Sequence, residues 1–392
     1  MRDLPPDEAV DASALHAAAF SQACQPRLCL VWTLAGLAGV AFIFRAFVVS
    51  RFDKIAGNFG DARLVIYLLE HWNRAFQGAE IWLSPPFFYP EKGILGYSVT
   101  AFIEALPYCI FRSLSFDPFV SFELMLMSFS FIGFVFTALL LYRFLGVGAW
   151  FSLAGGALFA FSNINYVWLL TPHIYHVMIV PAVLYLLAVA LGDRQGHPIR
   201  SIVCGLAALM LVPLLLFSEF YTGWFFVLFA AGVMIVLSLS RPRLARFTIY
   251  RCRRHFRLAL LAIILLVLLF IPFVLTYGPA IARGQGRSAT EVYSRSLTLR
   301  DSINVSSWNV VWGKLLSRSE NYRNVDRAYG ISPLLLASFT LAFIVMIFRR
   351  RILGFTRQDI RYDLAFACAA TVVVLFWALS RNSTGRPFHA AF

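Results

Sequence analysis

The chain has 392 residues, of which 60% are apolar and only 14% are charged. Soluble domains contain about 45–50% apolar and about 25% charged residues, so the composition excludes an ordinary soluble globular protein. In so apolar a chain, the net charge of +14 reports membrane topology and contact with anionic lipids rather than nucleic acid. We therefore expect an integral membrane protein whose partners include membrane lipids and no nucleic acid.

Apolar runs recur along the whole chain, and a membrane-spanning helix needs about 20 such residues. Residues 1–27 hold four acidic residues before the first run, unlike a cleaved signal peptide, so that run should be a retained anchor. The sequence predicts an all-α polytopic membrane protein with about nine transmembrane helices. The predicted spans are 28–49, 119–142, 149–170, 174–191, 201–217, 221–240, 258–278, 331–348 and 362–379.

Basic loops predict the orientation, because short arginine-rich loops stay on the cytoplasmic side. Segment 241–257 holds seven arginines and segment 349–361 holds five. Both are cytoplasmic, together with the N-terminus, only if the short apolar stretch 99–114 does not cross. We therefore predict that 99–114 is an interfacial or re-entrant helix.

The resulting topology has two large extracytoplasmic loops, about 50–118 and 279–329. The second also contains eight basic residues, but long loops translocate largely regardless of their charge. The predicted organisation is a cytoplasmic segment 1–27, a single transmembrane domain 28–379 and a short tail 380–392. The N-terminus is expected in the cytoplasm and the membrane is expected to be the bacterial inner membrane.

The first extracytoplasmic loop is predicted to contain an amphipathic helix that starts at Asp61 and lies on the membrane surface. Apolar residues recur there at helical spacing, and the other face is polar and includes Arg63 and Glu70. Asp61 lies at or near the N-cap, so its carboxylate either caps backbone N–H groups or has a catalytic role. The two roles can coexist.

Further polar residues collect on the same predicted side. His173 and His176 (TPHIYH) are three apart, a spacing compatible with a metal or with a simple interfacial position. Glu219 lies between two apolar runs, where an ionisable group needs a partner or a wet cavity. Arg283 and Arg287 follow a span and could hold a phosphate or anchor anionic lipids.

Four features in order resemble bacterial membrane glycosyltransferases of the GT-C superfamily. They are an external Asp soon after the first span (FGDARLVIYLLEHW), an aromatic-proline stretch (PPFFYP), a flat apolar segment (VTAFIEALPYCIFRSL) and the TPHIYH turn. The resemblance is clearest over 28–191 and rests on hydropathy and topology from 201 onward. It implies a polyprenyl-phosphate-linked sugar as donor and a catalytic acidic residue early in the first extracytoplasmic loop.

By this resemblance Asp61 is the general base that takes a proton from the acceptor hydroxyl. Arg63, Arg283 and Arg287 are candidates, chosen for charge and depth, to stabilise the lipid phosphate. Glu70, His173, His176 and Glu219 are candidates for orienting the acceptor or completing the site. A divalent metal is compatible with this chemistry, but no ligand set is defined, and the acceptor is not identified.

Two other functions fit the same polar side. A transporter or flippase for lipid-linked saccharides would use similar phosphate contacts, although transporters usually place polar or broken-helix sites near the midplane. Asn163 and Asn165 are the main polar residues within the spans. A non-catalytic assembly subunit would use the polar loops as a docking surface.

Overall fold

The computed structural model describes residues 26–192, 198–242, 256–283, 301–305, 311–316, 331–353 and 360–379, with single positions 246, 253, 298 and 309. Within these ranges every regular element is helical, as the sequence predicts. The α-helices are α1 Pro26–Ile43, α2 Arg45–Val49, α3 Asp61–Phe76, α4 Phe102–Ser113, α5 Pro118–Leu139, α6 Ala149–Ala160, α7 Asn163–Trp168, α8 Val180–Gly192, α9 Pro198–Ser218, α10 Phe220–Ser240, α11 Phe256–Arg283, α12 Trp312–Leu316, α13 Pro333–Leu353 and α14 Ile360–Leu379. Short 3-10 helices cover Pro86–Phe88, Leu95–Tyr97, Pro172–Ile179 and Asp301–Ile303.

Six helices in the described part of the chain are long and apolar enough to cross a membrane. They span Pro26–Ile43, Pro118–Phe144, Pro172–Ala190, Ile199–Ser218, Phe220–Ser240 and Leu260–Arg283. The last two predicted spans correspond to the shorter apolar stretches Pro333–Phe348 and Tyr362–Phe376. These helices agree with a polytopic integral membrane protein, while the count of nine remains a prediction.

The predicted span 149–170 is not one continuous helix. Helix α6 ends at Ala160, and α7 starts at Asn163 after the N-cap residue Ser162. The side-chain amide of Asn165 donates to the Phe159 carbonyl, which the end of α6 leaves without a helical partner. Serine and asparagine side chains compete with the backbone for such bonds, which explains why the run breaks at this point.

Helix α3 is amphipathic, as its sequence period predicts. Val65, Leu68, Leu69 and Trp72 are completely buried on one face. Phe76, which belongs to the same stripe by spacing, is 40% exposed because it lies in the last turn. The buried face joins the main hydrophobic core, which α5 also lines.

Helix α4 occupies the ambiguous stretch 99–114 and packs against α3. The Glu70 carboxylate of α3 accepts hydrogen bonds from Tyr108 Oη at 2.5 Å and from Arg112 Nε at 2.6 Å. Neither α3 nor α4 is among the helices long and apolar enough to cross a membrane. In the sequence, α3 and α4 lie between the candidate spans Pro26–Ile43 and Pro118–Phe144, and the two bonds to Glu70 hold them together.

The chain divides into two compact units. The first comprises the described residues within Met1–Phe226 and Thr248–Gly284, and it contains the main hydrophobic core. The second comprises those within Val227–Phe247 and Gln285–Phe392. In the second unit, Arg241 Nε donates to Asp363 Oδ2 at 2.5 Å.

Candidate functional site

Asp61 is the first residue of α3, and its carboxylate does not cap the helix. Gly60 is the N-cap residue and makes no side-chain cap bond. Instead Asn58 Oδ1 accepts the backbone N–H groups of Gly60 at 2.9 Å and Asp61 at 2.7 Å. The alternative in which Asp61 serves as the cap is therefore not what the structure shows.

The Asp61 carboxylate has one partner among the described residues. Asn58 Nδ2 donates to Asp61 Oδ2 at 2.6 Å. The side chain is half-buried, and no described residue donates to its Oδ1. One carboxylate oxygen is thus held in place while the other is available to a ligand.

Arg63 lies two residues after Asp61, on the exposed face of the first turn. Its guanidinium lies 3.5 Å from the centroid of the Phe59 ring, and Phe59 is itself 76% exposed. A guanidinium over an aromatic face is held by the ring quadrupole while its N–H groups stay free for an anion. The turn therefore presents a carboxylate and a guanidinium close together in sequence.

A second group of polar residues is completely buried. Glu104 Oε1 of α4 and His176 Nδ1 lie 2.7 Å apart, and both side chains have no exposed surface. The same nitrogen lies 3.1 Å from the His173 carbonyl. Because both neighbours are acceptors, Nδ1 carries a proton. Nε2 is the ring nitrogen that neither of these contacts uses.

Glu219 lies at the α9–α10 junction and is also fully buried. Its Oε2 accepts from the backbone N–H and the Oγ1 of Thr222, both at 2.9 Å. Tyr277 of α11 is 9% exposed, and its hydroxyl donates at 3.1 Å to the carbonyl of Phe217, two residues before Glu219. We call Glu104, His176, Glu219 and Tyr277 the buried polar cluster.

Unpaired atoms remain within this cluster. Glu104 Oε2, His176 Nε2 and Glu219 Oε1 have no hydrogen-bond partner among the described residues. A buried polar atom without a partner costs about 1–3 kcal/mol and usually indicates a bound water, an ion or a functional role.

A network of hydrogen bonds between side chains and the backbone holds the buried polar cluster beside α3. Trp72 Nε1 donates to the Thr100 carbonyl at 2.6 Å, and Thr100 Oγ1 donates to the Phe217 carbonyl at 2.6 Å. Ser218 Oγ accepts the N–H of Ile103 at 2.7 Å. These bonds tie α3, the start of α4 and the end of α9 into one junction.

The turn 57–61 before α3 lies next to the start of the 3-10 helix Pro172–Ile179. The same 3-10 helix carries His176, the partner of Glu104. The N–H of Asn58 donates to the Leu170 carbonyl at 2.9 Å. Gly57 approaches so closely that a Cβ there would lie 2.6 Å from Ala62 Cβ and 3.5 Å from Pro172 Cδ. His176, in the same 3-10 helix, reaches Glu104 on α4.

The other predicted site residues fall in different places. Glu70 pairs with Tyr108 and Arg112, and His173 is half-buried and contributes a backbone carbonyl. Arg283 is exposed in the last turn of α11. Arg287 lies outside the described residues. The structure thus pairs His176 with Glu104, places Glu219 at the helix junction to which α4 is hydrogen-bonded, and places Glu70 in a separate contact.

Glu70 also affects the ionisation of its neighbours. Burial, followed by the hydrogen bond to Glu70, raises the pKa of Tyr108 above its ordinary value of 10.0. Burial raises the pKa of the adjacent Cys109 thiol to about 11. Both groups are therefore neutral at physiological pH.

Sequence reasoning missed two acidic contacts. Glu123 is fully buried in α5, and its Oε1 accepts the Ala56 N–H at 2.5 Å. Glu80 accepts from His71 Nδ1 at 2.6 Å and from Arg74 at 3.2 Å. For Glu123 a signal was present, since a carboxylate inside an apolar run requires a specific partner.

Among the residues that the structure describes, no three His, Cys, Asp or Glu side chains come together in a way that could hold a metal ion. No protein-family model matches the chain, and neither do the curated proteins or the solved structures. Residue chemistry and geometry are therefore the basis for assigning a function.

Proposed function

We propose that this protein is a membrane glycosyltransferase that moves a sugar from a polyprenyl-phosphate-linked donor to an acceptor hydroxyl at the extracytoplasmic face. The observation that supports this proposal best is the burial and hydrogen bonding of the Asp61 carboxylate. Its carboxylate is half-buried, is held through one oxygen by Asn58, and is not used for capping the helix that it begins. A general base needs this combination of a fixed position and a free oxygen.

In the proposed reaction the acceptor hydroxyl oxygen attacks the anomeric carbon of the donor sugar. The new C–O bond forms as the bond from the anomeric carbon to the phosphate oxygen breaks, and polyprenyl phosphate leaves with that electron pair. The hydroxyl proton passes to Asp61. The reaction needs no oxidant or reductant, and the products are the glycosylated acceptor and polyprenyl phosphate.

Positive charge near the base would stabilise the leaving phosphate. Arg63 is the best placed of the candidates, because it lies two residues from Asp61 and its guanidinium is exposed. Arg283 and Arg287 remain candidates by charge and predicted depth. His176 and Glu219 have no exposed surface, which favours a positioning role over direct contact with substrate.

The proposed topology follows the basic loops. The N-terminus and segments 241–257 and 349–361 are cytoplasmic in the bacterial inner membrane, and 50–118 and 279–329 are outside. Helices α3 and α4 then lie in the outer interface, and the broken α6–α7 pair, α13 and α14 complete nine crossings. The amphipathic α3 and the absence of α4 from the helices long enough to cross support this arrangement.

A transporter of lipid-linked saccharides is the second candidate, and the broken helix favours it. Transporters build substrate sites where helices are interrupted, and the chain breaks between α6 and α7 with Asn165 satisfying the freed carbonyl. A transporter would lose function on changes at this break and would move the donor across the membrane without cleaving it.

Sugar transfer by the purified protein in lipid, with a panel of polyprenyl-phosphate sugars and acceptors, tests the proposal. Asp61→Asn is compared with Asp53→Asn, a matched exposed aspartate of the same loop. We expect transfer by the wild type and by Asp53→Asn and its loss in Asp61→Asn. Intact donor with folded wild-type protein, or equal transfer by both variants, would contradict the proposal.

A further inference from the structure

Asn58 has a fixed amide orientation. Its Oδ1 accepts two backbone N–H groups, from Gly60 and Asp61. A flipped amide would place its NH₂ group against these two donors and lose both bonds. The Nδ2 group must therefore point at the Asp61 carboxylate, where it donates at 2.6 Å.

The two bonds to the backbone N–H groups of Gly60 and Asp61 do not by themselves explain an asparagine at position 58. Aspartate and serine cap helices about as well as asparagine does. Aspartate has no donor and would bring a second negative charge against Asp61, and the single hydroxyl of serine cannot occupy the separate positions of Oδ1 and Nδ2. The bond to Asp61 Oδ2 is thus what distinguishes asparagine from the other good capping residues.

The backbone of Asn58 is also anchored from outside its own turn. Its N–H donates to the Leu170 carbonyl at 2.9 Å, and its carbonyl accepts from Ala62 at 3.1 Å. Leu170 lies two residues before the 3-10 helix Pro172–Ile179, which carries His176. The backbone of Asn58, which carries the side-chain amide, is therefore held by Leu170 as well as by α3.

We propose that Asn58 is the positioning residue for Asp61. It occupies Oδ2 and thereby presents Oδ1, to which no described residue donates, to the reacting hydroxyl. This inference rests on the proposed function of Asp61. It adds a residue that acts through the base without touching the substrate.

The kinetic test compares Asn58→Asp and Asn58→Ser with the wild type, since both variants keep a capping oxygen. We expect kcat to fall about 10- to 100-fold, the value of a lost hydrogen bond to a charged group, with KM for the donor changed by less than about twofold. The acidic limb of the activity profile moves to higher pH, more so for Asn58→Asp because of its like charge. Wild-type kcat and pH profile in both variants would overturn the inference while leaving Asp61 as the base.

A second readout needs no enzymatic activity. A water-soluble carbodiimide with an amine modifies protonated carboxyl groups, and mass spectrometry follows Asp61 as the pH is varied. We expect the labelling midpoint of Asp61 to move to higher pH in both Asn58 variants, with Asp53 unchanged as the internal control. Identical labelling midpoints of Asp61 in the wild type and both variants would overturn the inference even if no donor is found. Absence of sugar transfer by the wild-type protein would contradict only the proposed function.

Discussion

Glu104 and His176 are 72 residues apart in the sequence, yet Glu104 Oε1 lies 2.7 Å from His176 Nδ1 with both side chains fully buried. This contact joins α4 to the 3-10 helix Pro172–Ile179. Removing one partner of this buried hydrogen bond leaves a polar atom without a partner and costs about 1–3 kcal/mol.

We therefore predict that Glu104→Ala lowers the free energy of unfolding by about that amount. Glu104→Gln should cost less, because its amide oxygen still accepts from Nδ1. Glu91→Ala, which changes an exposed glutamate, is the control and should be near neutral. Thermal unfolding in detergent measures all three, and equal midpoints for Glu104→Ala and Glu91→Ala would show that the pair does not contribute.

The Tyr108–Glu70 contact predicts a pH dependence. Burial and the Glu70 bond raise the pKa of Tyr108 in the folded protein above its ordinary value of 10.0. The stabilisation is thus complete below pH 10 and is lost as pH rises above it, because the unfolded chain releases the phenolic proton first. Tyr108→Phe should flatten the fall in the unfolding midpoint above pH 10, whereas Tyr89→Phe, at an 86% exposed position, should follow the wild type. An unchanged slope in Tyr108→Phe would contradict the contact.

The close packing around Gly96 leaves no room for a larger side chain at this position. A Cβ there would lie 2.0 Å from the Thr276 carbonyl oxygen and 2.8 Å from its carbon. Because these are backbone atoms, they cannot move aside as a flexible side chain could. Gly96→Ala should separate the Leu95–Tyr97 helix from α11 and lower the unfolding midpoint. Gly148→Ala, where the nearest atom is 3.7 Å away, is the matched control, and equal midpoints would contradict the close approach.

Periodicity was enough to predict α3, because its apolar face repeats every 3.6 residues and Val65, Leu68, Leu69 and Trp72 on that face pack into one core. The break in the run 149–170 was not predicted, because hydropathy averages over Ser162 and Asn165, the polar residues at the interruption of the helix. The pairing of Glu104 with His176 could not be predicted either, because hydropathy carries no information about which distant residues meet. For the same reason the sequence makes Asp61 a candidate but not Asn58, whose proposed role depends on a side-chain direction.

The proposed topology predicts which cysteines an impermeant maleimide reaches. In a variant that lacks the native cysteines, Tyr89→Cys should be labelled from outside intact cells, and Arg246→Cys only after permeabilisation. Both positions are exposed, so accessibility to the reagent depends on the side of the membrane. The reverse pattern would place the Asp61 turn in the cytoplasm and exclude the extracytoplasmic reaction.

The release of polyprenyl phosphate in a single turnover tests the role of Asp61 most directly, because it follows the bond that the proposed reaction breaks. Loss of a general base typically costs about 10²- to 10⁴-fold in rate. We predict such a fall for Asp61→Asn, with Asp53→Asn at the wild-type rate and all three proteins equally folded. Release by Asp61→Asn at the wild-type rate would show that Asp61 is not the base.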